Sequence, residues 1–153
     1  MKIKKAKKGK EDFFLIEKFF KIQFKGNYSY GDIEYFYWKL FKNKTQNGFI
    51  NYYIKKDKII ATTSITPKTV LINQIKYIVG EIGDTYVDKK YSGRGLFLNL
   101  VKKSKIDSKK LHFIYGTPNH LSLPIYLKYC DYKKNNLFKI YSFVYPLSIK
   151  HIL

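Results

Sequence analysis

From Gly48 to Val87 the apolar residues of this chain follow the pattern of extended strands. "FINYYIKKDKIIATTSI" is two β-rich runs parted by Lys56-Asp57, and "TVLINQIKYIVGEIGDTYV" adds a short strand, a turn near Asn73 and a long strand ending at Val87. Runs rich in Ile, Val, Tyr and Thr, separated by short polar turns, read as an antiparallel meander. A sheet of this kind has to bury an apolar face, so helices are expected on either side of it in the chain.

The flanks supply them. In "EDFFLIEKFFKIQF" the residues Phe13, Ile16, Phe20 and Phe24 recur at helical spacing, with Phe19 beside them and Asp12 as the expected cap. A short strand, "KIKKA", precedes this helix. "GDIEYFYWKLF" follows Gly31 with Asp32 as cap and places Ile33, Phe36, Tyr37, Leu40 and Phe41 on one face. After Val87 comes the turn "YSGRG". It feeds "LFLNLVKKSKI", where Phe97, Leu100 and Val101 share a helical face. "LHFIYG" then reads as a short strand, "NHLSLPIYLKY" as a helix and "FKIYSFVYP" as a final strand. There is no internal repeat and no linker. The order predicts one α/β (α+β) domain over residues 1–153 with a mixed sheet.

With 45% hydrophobic and 18% aromatic residues, a chain of 153 residues can build a core. Its formal charge of +19 points to anionic partners, although the lysines are spread along the chain and much of the basicity fits AT-rich codon usage. One cysteine, Cys130, excludes an internal disulfide and any Cys-based zinc site and fits a reducing cytoplasm. His112, His120 and His151 lack ligand spacing, so no metal is expected. Glu17 and Lys18 interrupt the apolar run near the N-terminus, and no segment reaches the ~20 apolar residues of a membrane span. The expectation is a cytoplasmic protein.

The turn between the long strand and the helix is the chemical focus. Backbone N–H groups at a helix start have no intrahelical partner and lie at the positive end of the dipole, so a phosphate can be held there by the main chain. Glycines permit the close approach, and Arg94 adds a charged donor. No Gly-Lys-Ser/Thr follows. A Rossmann fingerprint is also absent, since the preceding strands form a meander and Leu98 stands where its third glycine would fall.

"VDKKYSGRGLFLNLV" resembles the acyl-CoA binding motif of the GNAT N-acetyltransferases, Arg/Gln-x-x-Gly-x-Gly/Ala after a strand ending in Val, which falls here on Ser92, Gly93, Arg94, Gly95, Leu96 and Phe97. A second block, "NHLSLPIYLKYCD", is similar to the family's Asn-x-x-Ala-x-x-x-Tyr-x-Lys-x-Gly-Phe, with Asn119, Ser122, Tyr126 and Lys128 in register. Ser92, Phe97 and Cys130-Asp131 depart from the pattern. The motifs "GDTYVDKKYSGRGLF" and "YGTPNHLSLPIY" look most like a branch with Asp-Thr-x-Val before the loop and Gly-x-Pro-Asn after the fifth strand, a branch associated with surface-polysaccharide genes. The resemblance implies a central twisted sheet, mixed but mostly antiparallel, flanked by helices, and direct transfer of an acetyl group from acetyl-CoA to an amine of a small molecule or sugar.

In that reading Tyr126 protonates the leaving thiolate, and Glu81, six residues before Val87, is the general base, with Asp84 as its rival or a water between. Asn119 and Ser122 belong to the cofactor site, and exposed main-chain groups near Tyr86 and Val87 pair with the pantetheine arm like an added strand. The Val87 N–H is aimed at the thioester carbonyl. Cys130 reads as a buried small hydrophobe, because direct transfer needs no acyl-enzyme. The acceptor groove is expected near the first two helices, Tyr28, Tyr30 and the last hairpin, where an amino sugar or nucleotide-linked sugar could stack. The other class left open is a basic, non-catalytic module for nucleic acid or anionic surfaces on the same fold. No RNA-recognition signature or helix-turn-helix accompanies the charge, so nucleic acid is the weaker expectation. The oligomeric state is not specified by the sequence.

Overall fold

Two tight turns set the register of the sheet. Lys56 and Asp57 have φ of 46° and 55°, and Asn73 and Gln74 have φ of 50° and 66°. Both turns thus place two successive residues in the left-handed region, the geometry whose twist matches that of paired antiparallel strands. The computed structural model describes residues 1–6, 10–24, 33–42 and 44–134. Its elements are β1 (Lys2–Lys5), α1 (Lys10–Gln23), α2 (Ile33–Phe41), β2 (Phe49–Lys55), β3 (Lys58–Ile72), β4 (Ile75–Val87), α3 (Leu96–Asp107), β5 (Ile114–Tyr115) and α4 (Leu123–Tyr129), with a 3-10 turn at Lys89–Tyr91.

The strands lie in the order β1-β2-β3-β4-β5. The first three pairings are antiparallel and β4·β5 is parallel, so the sheet is mixed and mostly antiparallel, as the sequence led one to expect. One element differs. The sequence suggested that "TVLI" was a strand of its own, whereas β3 runs unbroken for 15 residues through Pro67. Gly80, opposite Pro67, donates its N–H to Phe113 on the β5 side, and β2 ends at Phe49 opposite Ile65. The proline nitrogen therefore faces an edge that no longer needs a ladder donor, and the strand continues.

Both faces of the sheet are covered. On one, Phe13, Ile16 and Phe20 of α1 and Phe36 and Leu40 of α2 pack on Ile50, Tyr52 and Ile59, with the Phe20 and Phe36 rings stacked at 4.9 Å. On the other, Leu96 and Leu100 of α3 meet Tyr53, Ile60 and Ala61, while Val101 joins Phe49, Ile65, Ile82, Tyr126 and Cys130. Each large side chain buried in this way contributes about 1.5–3 kcal/mol. Asp12 falls inside the first turn of α1 rather than at its cap, where its carboxylate accepts a 2.6 Å hydrogen bond from the Tyr52 hydroxyl. Tyr28, Tyr30, the Asp32 cap, His151 and the strand expected at "FKIYSFVYP" lie outside the described residues. Among the described residues no helix is long and apolar enough to cross a membrane.

Candidate active site

The edge of β4 is the framework of the site. β5 meets β4 only at Gly80↔Ile114 and Glu81↔Tyr115. From Ile82 to Val87 that edge carries no strand partner among the described residues. Within this stretch β4 bulges: Thr62 and Ser64 face Tyr86 and Gly83, so β4 spends one more residue than β3, and Asp84 takes φ of 48°. The bulge is braced from behind. Asp84 pairs with Lys39 of α2 at 2.7 Å and accepts from Ser64 Oγ, while its carbonyl accepts from Thr62 Oγ1 at 2.9 Å. Beyond the bulge, Asp88 donates its N–H to Ile60 of β3. Strand alternation then turns the Val87 N–H to the opposite, open edge.

The glycine turn stands beside that edge. The Asp88 carboxylate caps the 3-10 turn by accepting the Lys90 N–H, and the Ser92 N–H returns to the Lys89 carbonyl. Gly93 and Gly95 have φ of 73° and 72°, which L side chains rarely adopt. A Cβ at either would meet nothing within 4 Å, so both open onto free space. Gly95 is the N-cap of α3 and supplies no side-chain bond to the helix start, leaving its first N–H groups available to an anion. Ser92 and Arg94 are exposed, and the Arg94 guanidinium lies 5.4 Å from the Tyr91 ring. Arg94 is the one arginine among the 30 basic residues of the chain. Leu96 is buried in the α3 core, so only its main chain can serve a ligand, whereas half-buried Phe97 packs edge-on against Tyr126 with ring centres 5.3 Å apart.

α4 presents Tyr126. Its start is fixed by Asn119, whose carboxamide oxygen accepts from the Leu121 N–H, the Ser122 N–H and the Ser122 hydroxyl at 3.1, 2.9 and 2.9 Å. The Asn119 NH2 group is the part left to reach a ligand. The Tyr126 ring is 6% exposed and wedged between Phe97 and Tyr132. Its hydroxyl lies 3.4 Å from Thr85 Oγ1, which lies 2.8 Å from Thr63 Oγ1. Burial pushes the Tyr126 phenol above its ordinary pKa, against a smaller opposing effect from Thr85. Cys130 is buried one turn further on, and burial raises its thiol too, which suits a packing residue.

Glu81 occupies the last rung before β5 leaves β4. Ile82 packs in the Tyr126 cluster, so Glu81 projects from the opposite face of the sheet. There it pairs with Lys68 at 2.6 Å, next to Tyr115. The hydrogen bond to Glu81 raises the Lys68 pKa, and burial raises that of Tyr115, with Glu81 adding to it. The Val87 edge, the glycine turn, Phe97, Asn119, Ser122 and Tyr126 thus lie on β4, α3, α4 and the turns that lead into the two helices, with Glu81 across the sheet. Tyr86 turns its ring to α1 and packs on Phe19 and Phe24, leaving its main chain to the edge. Sequence reasoning missed Lys39, Lys68, Thr63 and the contact of Thr85 with Tyr126; only Thr85, inside the Asp-Thr-x-Val motif, carried a signal.

A mixed sheet whose β4 edge opens beside an uncapped helix start is the frame of an acetyltransferase fold. The acetyltransferase (GNAT) domain matches residues 5–132. The chain belongs to the GNAT acetyltransferases, whose cosubstrate is acetyl-CoA. No curated protein matches it. Among solved structures it is similar to a predicted acetyltransferase with acetyl-CoA from Clostridium acetobutylicum, at TM-score 0.72 and 19% identity over 92% of this chain and 95% of that one. It is also similar to an aminoglycoside acetyltransferase from an uncultured soil metagenomic sample in complex with trehalose, at TM-score 0.67 and 17% identity over 96% of each chain. Glucosamine-6-phosphate N-acetyltransferase from Arabidopsis thaliana gives TM-score 0.66 and 19% identity over 94% of this chain and 98% of that one.

Proposed function

We propose that the protein is an acetyl-CoA-dependent N-acyltransferase that moves the acetyl group directly to an amine of a small molecule or sugar. The observation that carries this reading is the meeting of a β4 edge without a strand partner among the described residues, an open double-glycine turn at an uncapped helix start, and a buried tyrosine. The residues fit the cosubstrate. Main-chain N–H groups of Gly93 to Phe97, with Ser92 and Arg94 beside them, receive the pyrophosphate. Main-chain groups of Tyr86 and Val87 and the Asn119 NH2 hold the pantetheine arm, with Ser122 fixing the Asn119 side chain.

The chemistry follows from the two faces of the sheet. An amine is protonated near neutral pH and must lose a proton before it attacks, and Glu81 takes that proton directly or through a water on the face shared with α1 and α2. Lys68 positions the carboxylate. The Val87 N–H polarises the thioester carbonyl, and Tyr126, on the far face, gives its proton to the departing thiolate. Phe97 and Tyr132 keep water from that hydroxyl. Both carboxylates pair with a lysine, but Asp84 is buried between Lys39 and Ser64 whereas Glu81 stays partly exposed beside Lys68, which favours Glu81 as the base. The acceptor belongs to the amino sugars or nucleotide-linked sugars; the glucosamine-6-phosphate and aminoglycoside enzymes among the similar folds support that class.

Calorimetry tests the assignment. Acetyl-CoA is expected to bind in the micromolar range, and Gly95→Val to weaken it sharply, because a side chain enters the space a phosphate needs. Unchanged affinity in a folded Gly95→Val protein would remove the glycine turn from the site.

A further inference from the structure

A second place in the molecule gathers positive charge around a cavity. Where the C-terminal half of α1, the Lys56-Asp57 turn and the 3-10 turn after β4 meet, they enclose a cavity of about 450 Å³. Leu15, Phe19, Ile22 and Ile60 line it with apolar surface. Lys18, Lys55, Lys56, Lys58 and Lys90 stand around it. Among the described residues none of these five lysines is in an ion pair. The two carboxylates at the cavity are Asp57 and Asp88, and Asp88 is engaged by the Lys90 N–H. Five cations gathered against low-dielectric walls repel one another and focus a positive potential into the cavity, which a multiply charged anion relieves. The apolar lining requires that the anion also bring a body that is stabilised by leaving water.

We infer that this cavity binds a nucleoside polyphosphate, with its base and sugar against the apolar lining and its phosphates among the lysines, at a site separate from the acetyl-CoA groove. The volume lies within the roughly 300–1,000 Å³ of small-ligand pockets. Tyr91 is the wall between the two sites: it lines the cavity, and its ring lies 5.4 Å from Arg94 of the glycine turn and 5.1 Å from Lys55. The pyrophosphate cradle is made of main-chain groups at an uncapped helix, whereas this cavity is made of side chains on α1 and a hairpin tip. The two therefore respond to different substitutions.

The experiment is calorimetric titration of ATP into protein saturated with CoA, repeated on a Lys18→Glu/Lys56→Glu/Lys58→Glu protein, with inorganic tripolyphosphate as the second probe. One ATP per chain is expected, with affinity at least tenfold lower in the triple variant, CoA affinity within twofold of wild type, and tripolyphosphate at least tenfold weaker than ATP. Retained CoA binding also reports that the variant is folded. Should the triple variant lose its fold, Lys56→Gln/Lys58→Gln at the exposed hairpin tip makes the same comparison, with a threefold or greater loss expected. No ATP binding to CoA-saturated protein overturns the proposal. So does equal affinity in the variants, a parallel loss of CoA binding, or tripolyphosphate binding as tightly as ATP. If CoA itself does not bind, the cosubstrate assignment fails alone, and ATP titrated into the free protein still decides this site.

Discussion

Tyr126 is nearly buried, and that burial raises its phenol pKa, which favours the protonated form. In the proposed role of acid it would hold its proton until the thiolate forms, so a raised pKa is the useful direction. Turnover is expected to persist through neutral pH and to fall only above the ordinary tyrosine value of about 10, as the phenol ionises. Tyr126→Phe should lower turnover by roughly ten- to a thousandfold at all pH values below that limb. Acetyl-CoA affinity should be unchanged and stability should shift by about 1 kcal/mol. Measuring rate, affinity and melting on one preparation separates this role from that of a core tyrosine, which would leave turnover intact. Arg94 makes a second residue-scale case. Arg94→Lys preserves the charge but removes the planar fork and its place over Tyr91, and acetyl-CoA affinity should fall roughly tenfold in a titration although the net charge is unchanged. Gly93, Gly95 and Tyr126 were legible in the sequence because each belongs to a short local pattern. The partners that tune them were not: Thr85 reaches Tyr126 across 41 residues, and Lys68 meets Glu81 from the neighbouring strand.

At the scale of elements, α4 depends on one side chain. Asn119 spends its carboxamide oxygen on the helix start, which leaves its NH2 for the proposed contact with acetyl-CoA, so the two jobs can be separated. Asn119→Asp keeps an acceptor for the capping bonds and should hold the melting temperature, yet lose acetyl-CoA affinity as the donor becomes a repelling carboxylate. Asn119→Ala should lose about 1 kcal/mol of stability as well. Thermal melting and titration of both variants check the division. Element order was largely readable, because α1, α2 and α3 carry strong helical spacing and the two hairpin turns carry polar residue pairs suited to positive φ. The break expected between Ile65 and Thr69 is absent for a physical reason: whether Pro67 breaks a strand depends on which neighbour its nitrogen faces, and that is settled only once β2 has ended. The bulge at Asp84 was equally hidden, since one extra residue in a strand leaves no periodic trace when its brace, Lys39, comes from a distant helix.

The whole molecule carries a formal net charge of +19, and in this reading its acetyl-CoA cosubstrate and its second ligand are both anionic. Its field draws them in from solution, and added salt should slow that capture more than it weakens the bound state. The sheet itself has a further property. Its first four strands are joined along long ladders, 11 residue pairs between β3 and β4 alone, whereas β5 is tacked to β4 by two. Mechanically this is a notch: the split between β4 and the α4 layer has its tip at Glu81, and a fracture started by heat or force advances from there through Gly80 toward the β3–β4 hairpin. Amides at that tip, the Gly80 N–H bonded to Phe113 and the His112 N–H bonded to Ile78, should exchange with deuterium faster than those of the β3·β4 ladder, and slow markedly once acetyl-CoA fills the split. Equal protection of the two regions in the free protein would contradict this. The cosubstrate is then also the rivet of the fold, and the enzyme is toughest while it is loaded.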